Sequence, residues 1–128
     1  MNSEVAEAVE ELRRAFPGSG VTAAEDGSGG AYVIVERVAL GPRFEPDVSW
    51  IGGHISAQYP YADIYPVFID AGVRRIDGRP FEVPVTHGTS YAGRAAIQIS
   101  RRNNQIHSAP QTAVAKFVKV LDFLEKLP

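Results

Sequence analysis

The sequence contains no cysteine, and it also lacks an excess of basic residues and a long hydrophobic run. Without a thiol, disulfides, thiolate zinc sites and a cysteine nucleophile are excluded. A formal charge of −2 argues against a protein that binds nucleic acid by neutralising phosphates. No apolar run approaches the roughly 18 residues of a membrane-spanning helix, so no membrane partner is expected. The chemistry that remains is that of oxygen and nitrogen groups, or binding alone.

The length and composition predict one compact domain over residues 1–128. A hydrophobic content of 45% supplies enough apolar surface for a core. Near the N-terminus, Glu4, Glu7, Glu10 and Glu11 interrupt the hydrophobic residues, which is not the pattern of a signal peptide. We therefore expect a cytoplasmic protein.

Apolar residues at helical spacing predict a first helix over residues 3–15. We expect the hydroxyl of Ser3 to accept a hydrogen bond from the first turn, as an N-cap residue does. Pro17 and Gly18 follow the pattern and cannot continue the helix. Both ends of this amphipathic helix are therefore marked in the sequence.

Four runs rich in β-branched or aromatic residues come next, at residues 21–25, 31–40, 48–58 and 65–70. Turn residues separate them, which predicts a four-stranded antiparallel meander. From residue 71 to 102, glycine and proline are spaced too closely for long regular elements. We expect a long structured loop there, and loops of this length often carry function.

The last predicted helix begins at Ser108 and ends near Lys126. Ser108 and Gln111 match a capping box, and Pro110 is tolerated in a first turn. The polar positions Lys116, Lys119 and Asp122 are expected to face away from its apolar stripe. Helix, strands, loop and helix in this order predict the α+β class.

Short motifs between residues 59 and 100 follow one another in order: Tyr59-Pro60, then His87, then the run Gly93-Arg94-Ala95-Ala96-Ile97-Gln98-Ile99. This order resembles the centre of the ubiquitin-conjugating enzymes, in which a Tyr-Pro pair precedes a His-Pro-Asn tripeptide and then Gly-x-Ile-Cys-Leu-x-Ile. The predicted element order is also similar to that fold. The short C-terminal half is similar to the divergent prokaryotic branch of the superfamily.

The resemblance implies an activity and its partners. The chain would accept the C-terminus of a ubiquitin-like protein from an adenylating activating enzyme and pass it to a target amine, in a bacterial conjugation pathway. His87 then corresponds to the histidine that braces the active-site loop, and Ala96 to the thioester-forming cysteine. The family's asparagine is not matched, because Gly88 and Thr89 follow His87. No cofactor is implied.

Ala96 carries no nucleophile, and three explanations stay open. In the first, the alanine is natural and the protein is a non-catalytic binding module for a ubiquitin-like protein or its activating enzyme. In the second, another side chain replaces the thiol. In the third, alanine was introduced in place of cysteine. An unrelated α+β scaffold is a further alternative.

Ser100 is a candidate oxygen nucleophile in place of the thiol. It precedes Arg101 and Arg102, whose guanidinium groups would stabilise an oxyanion, or bind a C-terminal carboxylate or backbone carbonyls. A serine hydroxyl needs an adjacent base, and His87 and His107 are the nearby histidines. The alternative is a serine in a solvated turn.

Further residues are candidates for partner binding. Tyr91 and Arg94 lie beside the expected groove, and His107 precedes the last helix. By resemblance, Arg13 and Arg14 on the first helix meet the activating enzyme, although an ordinary solvated helix face explains them as well. The histidines lack the spacing of metal ligands, so no metal site is expected.

Overall fold

The computed structural model describes residues 1–103 and 110–128. Two helices and eight strands make up this part of the chain. In chain order they are α1 (Ser3–Ala15), β1 (Val21–Glu25), β2 (Ala31–Ala39), β3 (Phe44–Glu45), β4 (Val48–Ile55), β5 (Val67–Asp70), β6 (Arg74–Arg75), β7 (Val85–Tyr91), β8 (Arg94–Ile99) and α2 (Ala113–Glu125).

The α+β class is confirmed, with one helix before the strands of an antiparallel sheet and one after them in the chain. The main sheet has six strands in the order β1-β2-β4-β5-β8-β7, so the expected number of four is wrong. The meander itself is present, because β1, β2, β4 and β5 pair antiparallel in sequence order. The strands β3 and β6 form a separate two-stranded sheet.

Residues 71–102 are not the long loop that the sequence predicts. They contain a hairpin of β7 and β8, paired antiparallel with each other, and β8 also pairs with β5. Ala92 and Gly93 form its two-residue turn, with φ of 50° and 80°. Gly88, with φ of 79°, lies in a bulge where the register shifts between Thr86 and Thr89. Gly93 and Gly88, which the sequence placed in a loop, thus lie in a hairpin turn and in a bulge.

The bounds of α1 match the prediction, but its cap does not. The side chain of Asn2, not Ser3, accepts from the backbone N–H of Val5 at 2.9 Å. Helix α2 begins at Ala113 rather than at Ser108, which lies outside the described residues. Its cap is Thr112, whose hydroxyl accepts from Ala115 at 3.1 Å. The first error arises because the adjacent Asn2 and Ser3 are equally good caps, and in the second the cap lies four residues after the predicted one.

Both helices pack on one side of the main sheet, which we call the inner face. The apolar stripes of α1 and α2 join the inward side chains of the strands in one core. Ile64 packs tightly on β4, because a Cβ at Gly53 would be 2.6 Å from its Cγ2. Neither helix in the described residues is long and apolar enough to cross a membrane.

The opposite side of the sheet, the outer face, carries a second and smaller core. The side chains of Ile34, Trp50, Tyr91 and Ala96 are buried there, and Phe68 packs against them. Strand alternation places them opposite the helices. The sheet is therefore apolar on both sides, and only the inner face is covered by helices.

Candidate functional site

Ala96, the position of the expected nucleophile, lies within β8 on the outer face. Its backbone pairs with Asp70 of β5 and with Thr89 of β7. The residue is 1% exposed and belongs to the buried cluster with Trp50 and Tyr91. A side chain at this position therefore points into a closed core and not into an open groove.

Tyr91 closes this core by lying across strand β4. A Cβ at Gly52 would be 2.6 Å from Cε2 of Tyr91, so only glycine admits the ring there. The Tyr91 hydroxyl donates to the carbonyl of Val33 at 3.0 Å, and its ring stacks on Phe68 with centroids 4.8 Å apart. Burial raises the pKa of the Tyr91 phenol. Tyr91, a predicted partner-binding residue, is thus a packed side chain that is 7% exposed.

Arg94, beside the turn of the β7–β8 hairpin, forms hydrogen bonds to Glu36 of β2. Its Nη1 and Nη2 donate to Oε1 and Oε2 of Glu36 at 3.0 and 2.6 Å. This bidentate hydrogen bonding lowers the pKa of the Glu36 carboxyl. The guanidinium also lies 5.4 Å from the ring centroid of Trp50. The charge of Arg94 is therefore already matched within the protein.

His87 and Ser100 do not form a nucleophile and base. His87 is exposed at the bulge of β7, where its ring lies 5.8 Å from that of Phe81. The Ser100 hydroxyl accepts from Nε2 of Gln98 at 3.0 Å. No hydrogen bond joins His87 and Ser100 in the described residues, and His107 lies outside them.

Arg101 and Arg102 lie at a cleft beside α2, which we call the cationic cleft. Its volume is about 520 Å³, and five of its lining side chains are cationic. The lining residues are Arg101, Arg102, Asn103, Gln111, Lys116, Lys119, Val120, Asp122, Phe123 and Lys126.

Most of the positive charge in the cationic cleft is unmatched. Lys126 pairs with Asp122 at 3.0 Å. The guanidinium of Arg101 instead lies 4.4 Å from the Phe123 ring centroid, and that of Arg102 lies 3.9 Å from that of Tyr65. Among residues 1–103 and 110–128, no acidic side chain pairs with Arg101, Arg102 or Lys119. The cleft thus presents three free cationic groups.

Lys116 forms the floor of the cationic cleft and is only 4% exposed. The expectation that it faces away from the core is wrong. Its Nζ donates to Oδ2 of Asp63 at 3.0 Å and to the carbonyl of Arg101 at 2.6 Å. An ammonium has three hydrogens, so one remains for a ligand. Helical spacing could have revealed this position, because Lys116 lies three residues after Ala113 and four before Val120.

Gln111, also at the cleft, adds a second unused donor. Its buried Nε2 has no hydrogen-bond partner within the described part of the chain. Together with the remaining hydrogen of Lys116, it gives the cleft two unused donors, while Oδ1 of Asp63 beside Lys116 is a buried acceptor without a partner in the described residues. Such a site suits an anion. No group of three or more His, Asp or Glu side chains in the described ranges is placed to hold a metal ion.

Arg13 and Arg14 lie on α1 and do not line the cationic cleft. Arg13 pairs with Glu10 and donates to the carbonyl of Val21 at 3.3 Å. Of the predicted partner-binding residues that the structure describes, Arg101 and Arg102 lie at the cationic cleft, whereas Tyr91 and Arg94 lie together on the β7–β8 hairpin. The structure adds Lys116 and Lys119, which the sequence did not single out.

Comparison with protein-family models, curated proteins and solved structures gave no match to this chain.

Proposed function

We propose that this chain is a non-catalytic binding module that holds a ubiquitin-like protein in a conjugation pathway. The cationic cleft is its contact surface. The observation that carries this proposal is the set of free cations Arg101, Arg102 and Lys119 around one cleft, in a chain whose net charge is −2. The partner class comes from the resemblance of residues 59–100 to ubiquitin-conjugating enzymes.

The closed surroundings of Ala96 favour binding over acyl transfer. A nucleophile on residue 96 must reach the activated carbonyl of its substrate, and the acyl group that it then carries needs space around residue 96. At 1% exposure, beneath Trp50 and Tyr91, this position offers no such room. The acyl-carrier role stays a prediction from the sequence, for a form of the protein with cysteine at position 96.

The test combines the chain, or Ala96→Cys, with ATP, a ubiquitin-like protein and the activating enzyme of that ubiquitin-like protein. We expect reversible binding of the ubiquitin-like protein and no covalent adduct on either form. A thiol-labile adduct on Ala96→Cys would contradict the proposal and support acyl carriage. A thiol-resistant adduct that hydroxylamine removes from the unsubstituted chain would indicate an ester, with Ser100 as the first candidate.

A charge-matched pair of variants assigns the binding surface. Arg101→Ala/Arg102→Ala removes two cations from the cationic cleft, and Arg13→Ala/Arg14→Ala removes two from α1. We expect only the first pair to weaken binding of the ubiquitin-like protein, by at least tenfold. Equal losses would indicate a general charge effect, and absence of binding by the unsubstituted chain would refute the proposed function.

A further inference from the structure

We propose that the cationic cleft binds the free C-terminal carboxylate of its protein partner. This inference rests on the proposed function for the identity of the partner. It adds the group that is recognised, the residues that recognise it, and a reason why the end of a chain is required.

Two cationic or amide groups at the cleft have unused hydrogen-bond donors. Lys116 has one hydrogen left, and Nε2 of Gln111 has no partner in the described residues. Of the acidic side chains, Asp122 at the cleft is paired with Lys126, and Asp63 beside it is paired with Lys116 through Oδ2. The two unused donors favour a ligand that supplies acceptor oxygens, and a carboxylate brings two oxygens with about four acceptor positions and no donor.

The free cations favour an ionised ligand. Arg101 and Arg102 each hold a guanidinium group against an aromatic ring, which fixes its plane and leaves its N–H groups without an acidic partner in the described chain. A planar guanidinium matches the two oxygens of a carboxylate. Lys119 adds a third positive charge at the same cleft. Charge complementarity thus points to a carboxylate.

The depth of Lys116 points to a chain end. Because its side chain is 95% buried, an anion must enter the cleft to reach its ammonium group. A C-terminal carboxylate projects beyond the last Cα with no chain continuing past it, so it can enter end-on. An acidic side chain on a folded surface brings its own backbone and neighbours with it. The floor of the cleft therefore favours a terminal carboxylate over an internal one.

The experiment uses three six-residue peptides of glycine and serine, titrated into the ¹⁵N-labelled chain and followed by NMR. The first ends in a free carboxylate, the second in an amide, and the third is an amide with one internal glutamate. We expect the first to bind at least tenfold more tightly than the others, with shifts at residues 101–103 and 113–126. Equal binding of the first two peptides would overturn the inference. Equal binding of the first and third would also overturn it, because a chain end would then not be needed.

Variants locate the contact without disturbing the core. Arg101→Ala/Arg102→Ala and Lys119→Ala are expected to weaken binding of the carboxylate peptide at least tenfold and threefold, with an unchanged fold in the NMR spectrum. Arg13→Ala/Arg14→Ala, with the same loss of charge, should bind as the unsubstituted chain does. Unaltered binding by the cleft variants would overturn the assignment.

The peptides separate this inference from the proposed function. If the ubiquitin-like protein binds but the peptides show no preference for the free carboxylate, the inference is wrong and the proposed function stands. If the carboxylate peptide binds but the ubiquitin-like protein does not, the partner class is wrong and the recognised group is right.

Discussion

The substitution Tyr91→Ala tests whether one ring closes the outer face over Ala96. The ring is 7% exposed and stacks on Phe68. Removing a buried aromatic side chain costs about 3–5 kcal/mol in stability, because contacts are lost and a cavity remains. Loss of the hydroxyl's hydrogen bond to Val33 is part of this cost, so Tyr91→Phe alone should lose about 1 kcal/mol.

The assay is urea unfolding followed by circular dichroism, with the free energy of unfolding extrapolated to water. Tyr61→Ala is the matched control, because Tyr61 is 61% exposed and the same atoms are removed. We expect the control to change stability by no more than about 0.5 kcal/mol. A loss below about 1 kcal/mol for Tyr91→Ala, or a loss equal to that of the control, would refute the packing described for this ring.

The same substitution bears on access to position 96. In Ala96→Cys, the thiol is expected to react slowly with Ellman's reagent, because residue 96 is enclosed. Adding Tyr91→Ala should raise the reaction rate at least tenfold under native conditions. Equal rates with and without Tyr91 would mean that this ring does not control access to the site.

Three further substitutions test contacts elsewhere. Arg94→Ala should lower stability by about 1 kcal/mol at neutral pH, and calorimetry should show a smaller loss in acid, since the lowered pKa of Glu36 stabilises the fold only while its carboxyl is ionised. The hydrogen bond between His54 and Asp26 lowers the pKa of the Asp26 carboxyl. Asp26→Asn should therefore lower the melting temperature above about pH 4, and have little effect once the pH falls through that lowered pKa. Asp63→Asn should cost about 3 kcal/mol in urea unfolding, because the buried Lys116 ammonium loses its carboxylate, and a loss under about 1 kcal/mol would refute this pair.

Local patterns in the sequence were enough to predict most of the fold. Hydrophobic periodicity and intervening turn residues predict helix α1 and the strands β1, β2, β4 and β5. The cap of α1 was misplaced by one residue, since Asn2 competes with the adjacent Ser3, and that of α2 by four residues, from Ser108 to Thr112. Which residue caps a helix depends on its backbone conformation, which the sequence pattern does not fix.

The hairpin of β7 and β8 could not be predicted in the same way. Gly88 and Gly93 indicate a break in regular structure, but only pairing with β5 shows that the breaks are a bulge and a turn. The candidate site depends on long-range contacts as well. Arg101 and Arg102 were found from the sequence as adjacent cations, whereas their proximity to Lys119 follows from the packing of α2.

The hairpin also has a consequence for how the protein folds. Tyr91 and Arg94 bond to Val33 and Glu36 across a separation of 58 residues in each case. Contacts this distant in sequence pay a large loop-closure entropy before they form, and they slow folding. During synthesis, the four strands of the meander can pair before β7 and β8 are complete, while the outer face is still open to water. We infer that the second core closes only once β7 and β8 have been added to the sheet.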